Sequence, residues 1–128
     1  MTLRLPRSHA RKSRDSALDY EIAQEQAAAL GRLGRALEAA LAALSRHDRA
    51  AAADEVRSTA VAASAAAVRE RLVQDASHAL WCFIIQREAC GLRDQRLIVR
   101  EYGVPREVQN RMGVFGGGGR GGKRAPPA

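Results

Sequence analysis

The sequence predicts an all-α protein: an antiparallel pair of long helices followed by a short two-helix hairpin, with flexible basic termini. Two observations support this prediction. Apolar residues recur every three or four residues between Leu18 and Leu44, with one eight-residue gap across Gln26, and three glycines, each followed by an apolar residue, divide the last third of the chain. A length of 128 residues suits one domain. Because only 4% of the residues are aromatic, the core must consist of aliphatic side chains on close-packed helices.

The two ends hold the excess positive charge. Residues 1–14 contain five basic side chains and no acid, and residues 114–128 contain three basic side chains and no acid. Between them, 13 basic groups face all 14 acids, so that stretch has a net charge of −1. The composition of these three regions predicts a disordered basic arm over 1–14, a helical domain over 15–115 and a disordered Gly-rich basic tail over 116–128.

The first helix is predicted over residues 16–46. Seven apolar residues define its face: Leu18, Ile22, Leu30, Leu33, Leu37, Leu41 and Leu44. Asp15 or Ser16 can cap its start, because a side-chain oxygen accepts hydrogen bonds from free backbone N–H groups. Asp19 and Glu21 then lie near the positive end of the helix dipole.

Two glycines interrupt this helix. Gly31 and Gly34 are poor helix formers, so their presence indicates that another backbone approaches closely there. The alanine-rich surface around these glycines forms a thin seam that a second copy of the chain can cover. We therefore expect a homodimer.

A second long helix follows a turn that we place at His47 to Ala53. Asp54 can cap this helix. Its apolar face is predicted to contain Val61, Ala65, Val68, Leu72, Ala76, Ala79, Phe83 and Cys90. Since the turn is short, the two helices should lie antiparallel.

The last third of the domain contains three helix stops. They are the pairs Gly91 with Leu92, Gly103 with Val104, and Gly113 with Val114. A glycine after a helix adopts the left-handed conformation without penalty, and the apolar residue after it folds back on the last turn. Asp94 can cap a helix over 95–102, and Pro105 suits the first position of a helix over 105–112.

Residues 97–112 resemble the helix-turn-helix of bacterial transcription regulators. The positions that match are Val99, Gly103, Val104 and Val108. The resemblance implies that Arg106, Gln109 and Asn110 face the major groove, where arginine can read guanine and the amides can read adenine. A plain packing hairpin is the alternative, because any two helices joined by a glycine turn show this pattern.

A polar cluster surrounds the end of the second helix and the facing part of the first. Its members are Glu21, Glu25, Arg87, Glu88, Arg93 and Asp94. In an antiparallel pair, Glu21 or Glu25 can pair with Arg87 or Arg93 and hold the open end together. The cluster is either a partner-binding site or a structural salt-bridge network.

No combination of residues in the sequence points to catalysis. Asp75, His78 and Cys82 share one helical stripe, but the remaining ligands of a metal site are missing. We find neither a nucleophile beside a base nor a phosphate-binding glycine loop. We therefore expect no enzyme activity and no cofactor.

The cysteines and the apolar runs suggest a compartment. Cys82 and Cys90 are eight residues apart, about 12 Å along one helix, which is too far for a disulfide. Two such thiols favour a reducing cytoplasm. The longest apolar run, Ala79 to Ile85, is far shorter than the roughly 20 residues that span a bilayer, so we expect no membrane insertion.

Three blocks of the sequence, residues 20–32, 79–94 and 104–113, are similar to a family of small bacterial proteins of unknown function. The similarity covers most of 18–115 and implies one compact domain, without site residues or an activity. The sequence predicts a non-catalytic protein-interaction module with an unidentified protein partner. The alternative is a nucleic-acid-binding protein that uses the hairpin at 95–113, assisted by its basic termini.

Overall fold

A computed structural model describes residues 7–54 and 57–113. The described residues form four helices and no strand: α1 (Arg7–Ala53), α2 (Thr59–Ala89), α3 (Gln95–Glu101) and α4 (Arg106–Arg111). This confirms the predicted all-α class, with two long helices and a short helical hairpin. The predicted tail at 116–128 lies outside the described residues.

Helix α1 is longer than predicted at both ends. It begins at Arg7, so residues 7–14 are helical rather than a disordered arm, and residues 1–6 lie outside the described part. It also includes His47 to Ala53, where we predicted a turn. The physical reason is that no proline occurs between Arg7 and Ala53, and that alanine has the highest helix propensity.

Helix α2 begins later than predicted. Ser58, not Asp54, is its N-cap: the Ser58 hydroxyl accepts a hydrogen bond from the Val61 amide at 3.3 Å. Asp54 instead pairs with the Arg57 guanidinium at 3.1 Å. A cap acts only where the helix starts, and α1 itself runs up to Ala53, which moves the start of α2 beyond Asp54.

The long helices lie antiparallel. Gly34 of α1 faces Phe83 of α2, and Asp48 of α1 bonds to Arg69 of α2. A step of fourteen residues forward along α1 therefore matches the same step backward along α2. In this register the last residue of α2, Ala89, lies opposite about residue 28 of α1.

The core lies where the C-terminal hairpin covers the two long helices. Ten apolar side chains are buried there: Leu37, Leu44, Val73, Ala76, Leu80, Phe83, Ile84, Ile98, Val104 and Val108. Toward the turn the predicted face of α2 is solvent-exposed, with Val61 and Val68 about half exposed.

The glycines of α1 do not mark a contact between backbones. A Cβ at Gly34 would lie 2.8 Å from the Tyr102 hydroxyl and 3.6 Å from the Phe83 ring, while one at Gly31 would meet only the Arg35 side chain. The close approach at Gly34 is therefore made by two aromatic side chains of the same chain. It leaves no open seam at Gly34 for a second copy.

The three helix stops are confirmed in the backbone. Gly91, Gly103 and Gly113 all have positive φ angles. The Leu92 amide donates to the Arg87 carbonyl at 2.8 Å and the Val104 amide to the Val99 carbonyl at 3.0 Å, which is the expected bonding pattern after a helix. Val104 is buried as predicted, but Leu92 is 44% exposed, and Val114 lies outside the described residues.

The starts of the short helices agree with the prediction to within one residue. The Asp94 carboxylate accepts a hydrogen bond from the Leu97 amide at 3.2 Å and caps α3. Pro105 is the N-cap of α4, one position before its predicted place in the first turn. Helix α4 packs on α2, where the buried Ser77 hydroxyl lies 3.0 Å from the Val108 carbonyl.

Candidate interaction surface

Helix α1 extends well beyond the end of α2. Because Ala89 lies opposite about residue 28, residues 7–27 of α1 project from the hairpin by about 30 Å, at 1.5 Å per residue. We call this segment the overhang. Every residue from 11 to 25 is exposed. Between residues 11 and 25 the overhang thus presents an uncovered helical surface on all sides.

The overhang has an apolar stripe. Leu18 is 56% exposed and Ile22 is 48% exposed, and the two are four residues apart, so they lie on the same side of the helix. Tyr20 is 70% exposed on another side. Large apolar side chains exposed close together often mark a protein interface.

Charges in the overhang are arranged in two blocks. The first contains Arg11, Lys12 and Arg14 without an acid, and residues 15–25 contain four acids without a base. The four acids are Asp15, Asp19, Glu21 and Glu25. The basic block lies nearest the positive end of the helix dipole, which is the less favourable order for an isolated helix.

The acidic and basic members of the predicted polar cluster do not meet. Glu25 pairs with Arg32 of its own helix at 3.0 Å, and Arg87 lies 5.7 Å from the centre of the Phe83 ring. No ion pair among the described residues joins Glu21 or Glu25 to Arg87 or Arg93. The register explains this, because Arg87 lies opposite about residue 30 and Glu21 projects further out.

The remaining members of the cluster serve the connection between α2 and α3. The Glu88 carboxylate accepts a hydrogen bond from the side-chain Nε2 of Gln95 at 3.2 Å, and Asp94 caps α3. Arg93 is exposed. The cluster therefore divides into an acidic part on the overhang and a part that shapes the α2–α3 turn.

The helix-turn-helix residues lie on a six-residue helix. Arg106 and Asn110 are exposed four residues apart on α4, whereas the side-chain Nε2 of Gln109 donates to the Val104 carbonyl at 2.9 Å. Val108, on the opposite side of α4, is fully buried. Two of the three predicted DNA-contacting side chains thus share an open face, and the third folds back on its own hairpin.

An ion-pair network that the sequence did not reveal anchors α4. The Arg69 guanidinium binds both Glu107 carboxylate oxygens, at 2.8 and 2.9 Å, and its Nε binds Asp48 at 2.8 Å. Hydrogen bonds from Arg69 lower the pKa of Asp48 and that of Glu107 below their ordinary values, and both carboxylates raise the pKa of Arg69. A second pair joins Arg111 to Glu70. The network connects α1, α2 and α4.

The stripe of Asp75, His78 and Cys82 on α2 gains no further metal ligand from the rest of the described residues. The Cys82 sulfur lies 3.5 Å from Nε2 of His78, and both Cys82 and Cys90 are free thiols. Within residues 7–54 and 57–113, no group of three His, Cys, Asp or Glu side chains is arranged to hold a metal ion. Over the same residues, no helix is both long and apolar enough to cross a lipid bilayer.

The fold and its surfaces define a small all-helical protein in which a helical hairpin has one elongated arm and a docked pair of short helices. The chain belongs to a family of unknown function, DUF6665, whose model matches residues 46–120. This confirms the predicted membership in a family without assigned function. The matched range includes the blocks at 79–94 and 104–113, but the block at 20–32 and the overhang lie outside it.

Neither a comparison with curated proteins nor one with solved structures finds a similar chain.

Proposed function

We propose that this protein is a non-catalytic interaction module that binds another protein through the α1 overhang. The observation that supports this most directly is the exposure of every residue from 11 to 25 in a continuous helix. Isolated helices of about 12–15 residues are marginal in water, because most helical stability comes from packing of an apolar face. A partner that covers the overhang would supply the packing that the chain itself does not.

The apolar stripe gives such a partner its anchor. Leu18 and Ile22 are together on one side, and acidic side chains surround them, so the stripe has the polar rim that protein interfaces commonly show. Cys82 and Cys90 are free thiols, and we expect the protein to work in the reducing cytoplasm.

A site-specific photocrosslinker tests the proposal. We would replace Ile22 by a photoreactive phenylalanine analogue in the full chain, expressed in its native cell. Val61, 51% exposed against 48% for Ile22, is the matched control on the other end of the hairpin. Protein crosslinks at position 22 and few at position 61 are expected. Equal crosslinking at both positions, or none at position 22, contradicts the proposal.

Nucleic-acid binding is the second candidate. It is favoured by the shared open face of Arg106 and Asn110 on α4, to which the basic termini add nonspecific attraction for phosphates. Fluorescence anisotropy with mixed duplex DNA at physiological salt would compare the full chain with R106A/Q109A/N110A. Binding that weakens by at least about tenfold in the variant would support this function. Unchanged or absent binding would exclude it.

A further inference from the structure

We propose that the protein bound by the overhang is a second copy of this chain, whose own α1 packs antiparallel along residues 11–25. This inference rests on the proposed function and names its partner. It differs from the dimer predicted around Gly31 and Gly34, since Gly34 is covered by Tyr102 and Phe83 within one chain. The contact lies instead on the segment from 11 to 25, where every residue is exposed.

The order of charges makes the overhang complementary to itself. Residues 11–14 carry three positive charges and residues 15–25 carry four negative charges. In an antiparallel pair centred near Ser16, the basic block of each copy lies beside the acidic block of the other. A parallel pair would place like charges together, at a cost that opposes association. A two-fold axis repeats each favourable contact.

Helical periodicity places the charges on the two flanks of the apolar stripe. Lys12 and Asp19 are seven residues apart and share one flank, while Arg14 and Glu21 share the other. In the antiparallel pair Lys12 therefore faces the partner's Asp19, and Arg14 faces the partner's Glu21. Four charge pairs then enclose the seam on both sides.

Leu18 and Ile22 supply the apolar part of the seam, to which Arg11 and Asp15 also belong by helical spacing. Leu18 of each copy lies within about one helical turn of the centre, close to its symmetry mate. Ile22 comes opposite the partner's Arg11, whose aliphatic stem can cover it while its guanidinium stays in water. The pairing also places acids of the partner beside the basic block at the positive end of each helix dipole, which offsets the unfavourable order of charges in the single helix.

The test is a charge exchange, followed by sedimentation equilibrium of the full chain at low salt. Variant K12E/R14E and variant D19K/E21K each place like charges opposite one another, and each should weaken self-association by about tenfold or more. An equimolar mixture of the two variants restores the opposite charges and should associate again as a heterodimer. Circular dichroism would confirm that each variant keeps its helical content.

Variant R71E/R96E is the matched control. It makes the same change in net charge as K12E/R14E, at two exposed arginines on α2 and α3, away from the overhang. It should associate like the parent chain, and association of the parent should weaken at high salt. A chain that stays monomeric at low salt, or variants that associate as the parent does, would overturn the inference.

The crosslinking experiment separates the two proposals. Crosslinks from position 22 to another copy of the chain support both. Crosslinks from position 22 to a different protein support the interaction module and reject self-association. The absence of any crosslink at position 22 rejects both.

Discussion

The two halves of α1 share a helical spacing of apolar residues but lie in opposite environments. In the half that faces α2, Leu37 is fully buried and Leu44 is 3% exposed. In the overhang, Leu18 and Ile22 follow the same three-or-four spacing and are about half exposed. The difference arises because α2 ends at Ala89 and leaves the first half of α1 without a neighbour. Apolar periodicity thus identifies the face of a helix that can be buried, and the length of the neighbouring helix decides how much of it is.

Truncating one leucine in each half of α1 should give the largest difference in the free energy of unfolding. Leu37→Ala should lower the free energy of unfolding by about 2–5 kcal/mol, because it removes buried methyl groups and leaves a cavity. Leu18→Ala should change it by less than about 0.5 kcal/mol, since its side chain is already in water. Urea denaturation of dilute protein, where the chain is monomeric, measures both. Similar losses in the two variants would mean that the overhang is packed.

The two glycines of α1 provide a finer comparison over one helical turn. Gly34→Ala should lower the free energy of unfolding by about 1 kcal/mol, because the new Cβ would collide with the packed Tyr102 hydroxyl. Gly31→Ala should raise it by about 0.5–1 kcal/mol, since only the movable Arg35 side chain is near and alanine favours the helix. Thermal unfolding of the two variants checks the signs. The same sign in both would contradict the packing at Gly34.

Two serines of α2 test the contact with α4. Ser77→Ala removes a buried hydroxyl that lies 2.8 Å from the Val73 carbonyl and 3.0 Å from the Val108 carbonyl, and should cost about 1 kcal/mol. Ser64→Ala, at an exposed position of the same helix, should be neutral or slightly stabilising. Denaturant midpoints measure the difference. Equal midpoints would show that the hydroxyl does not hold α4.

The Arg69 network should give the smallest effect, and one that depends on pH. Folding lowers the pKa values of Asp48 and Glu107, so their contribution is present at neutral pH and is lost as the pH falls below about 4. Arg69→Met should therefore destabilise the chain at pH 7 by at most about 1 kcal/mol, because the ion pairs are partly exposed. Arg71→Met is the exposed control. The difference in the free energy of unfolding between Arg69→Met and the parent should become smaller in acid. A difference that does not change with pH would indicate a role for Arg69 other than charge.

Part of the candidate site could be predicted from the sequence. The acids Glu21 and Glu25 and the cap Asp94 were identified, but the predicted pairing of the acids with Arg87 or Arg93 was wrong. That pairing depended on the register of α1 against α2, which places Arg87 opposite about residue 30 and leaves Glu21 beyond the end of α2. The connection between the long helices determines which residues face each other, and alanine-rich sequence marks it weakly.

The sequence alone determined the local features of this protein. Helical spacing of leucines, the cap at Asp94 and the left-handed glycines at 91, 103 and 113 act within a few residues, so the sequence contains all the information that they need. Only the tertiary structure decided the rest. The contact of Gly34 with Tyr102, the three-helix network of Arg69, and the overhang itself each depend on residues far apart in the chain. They are fixed by the register and the lengths of packed helices, which no local pattern encodes.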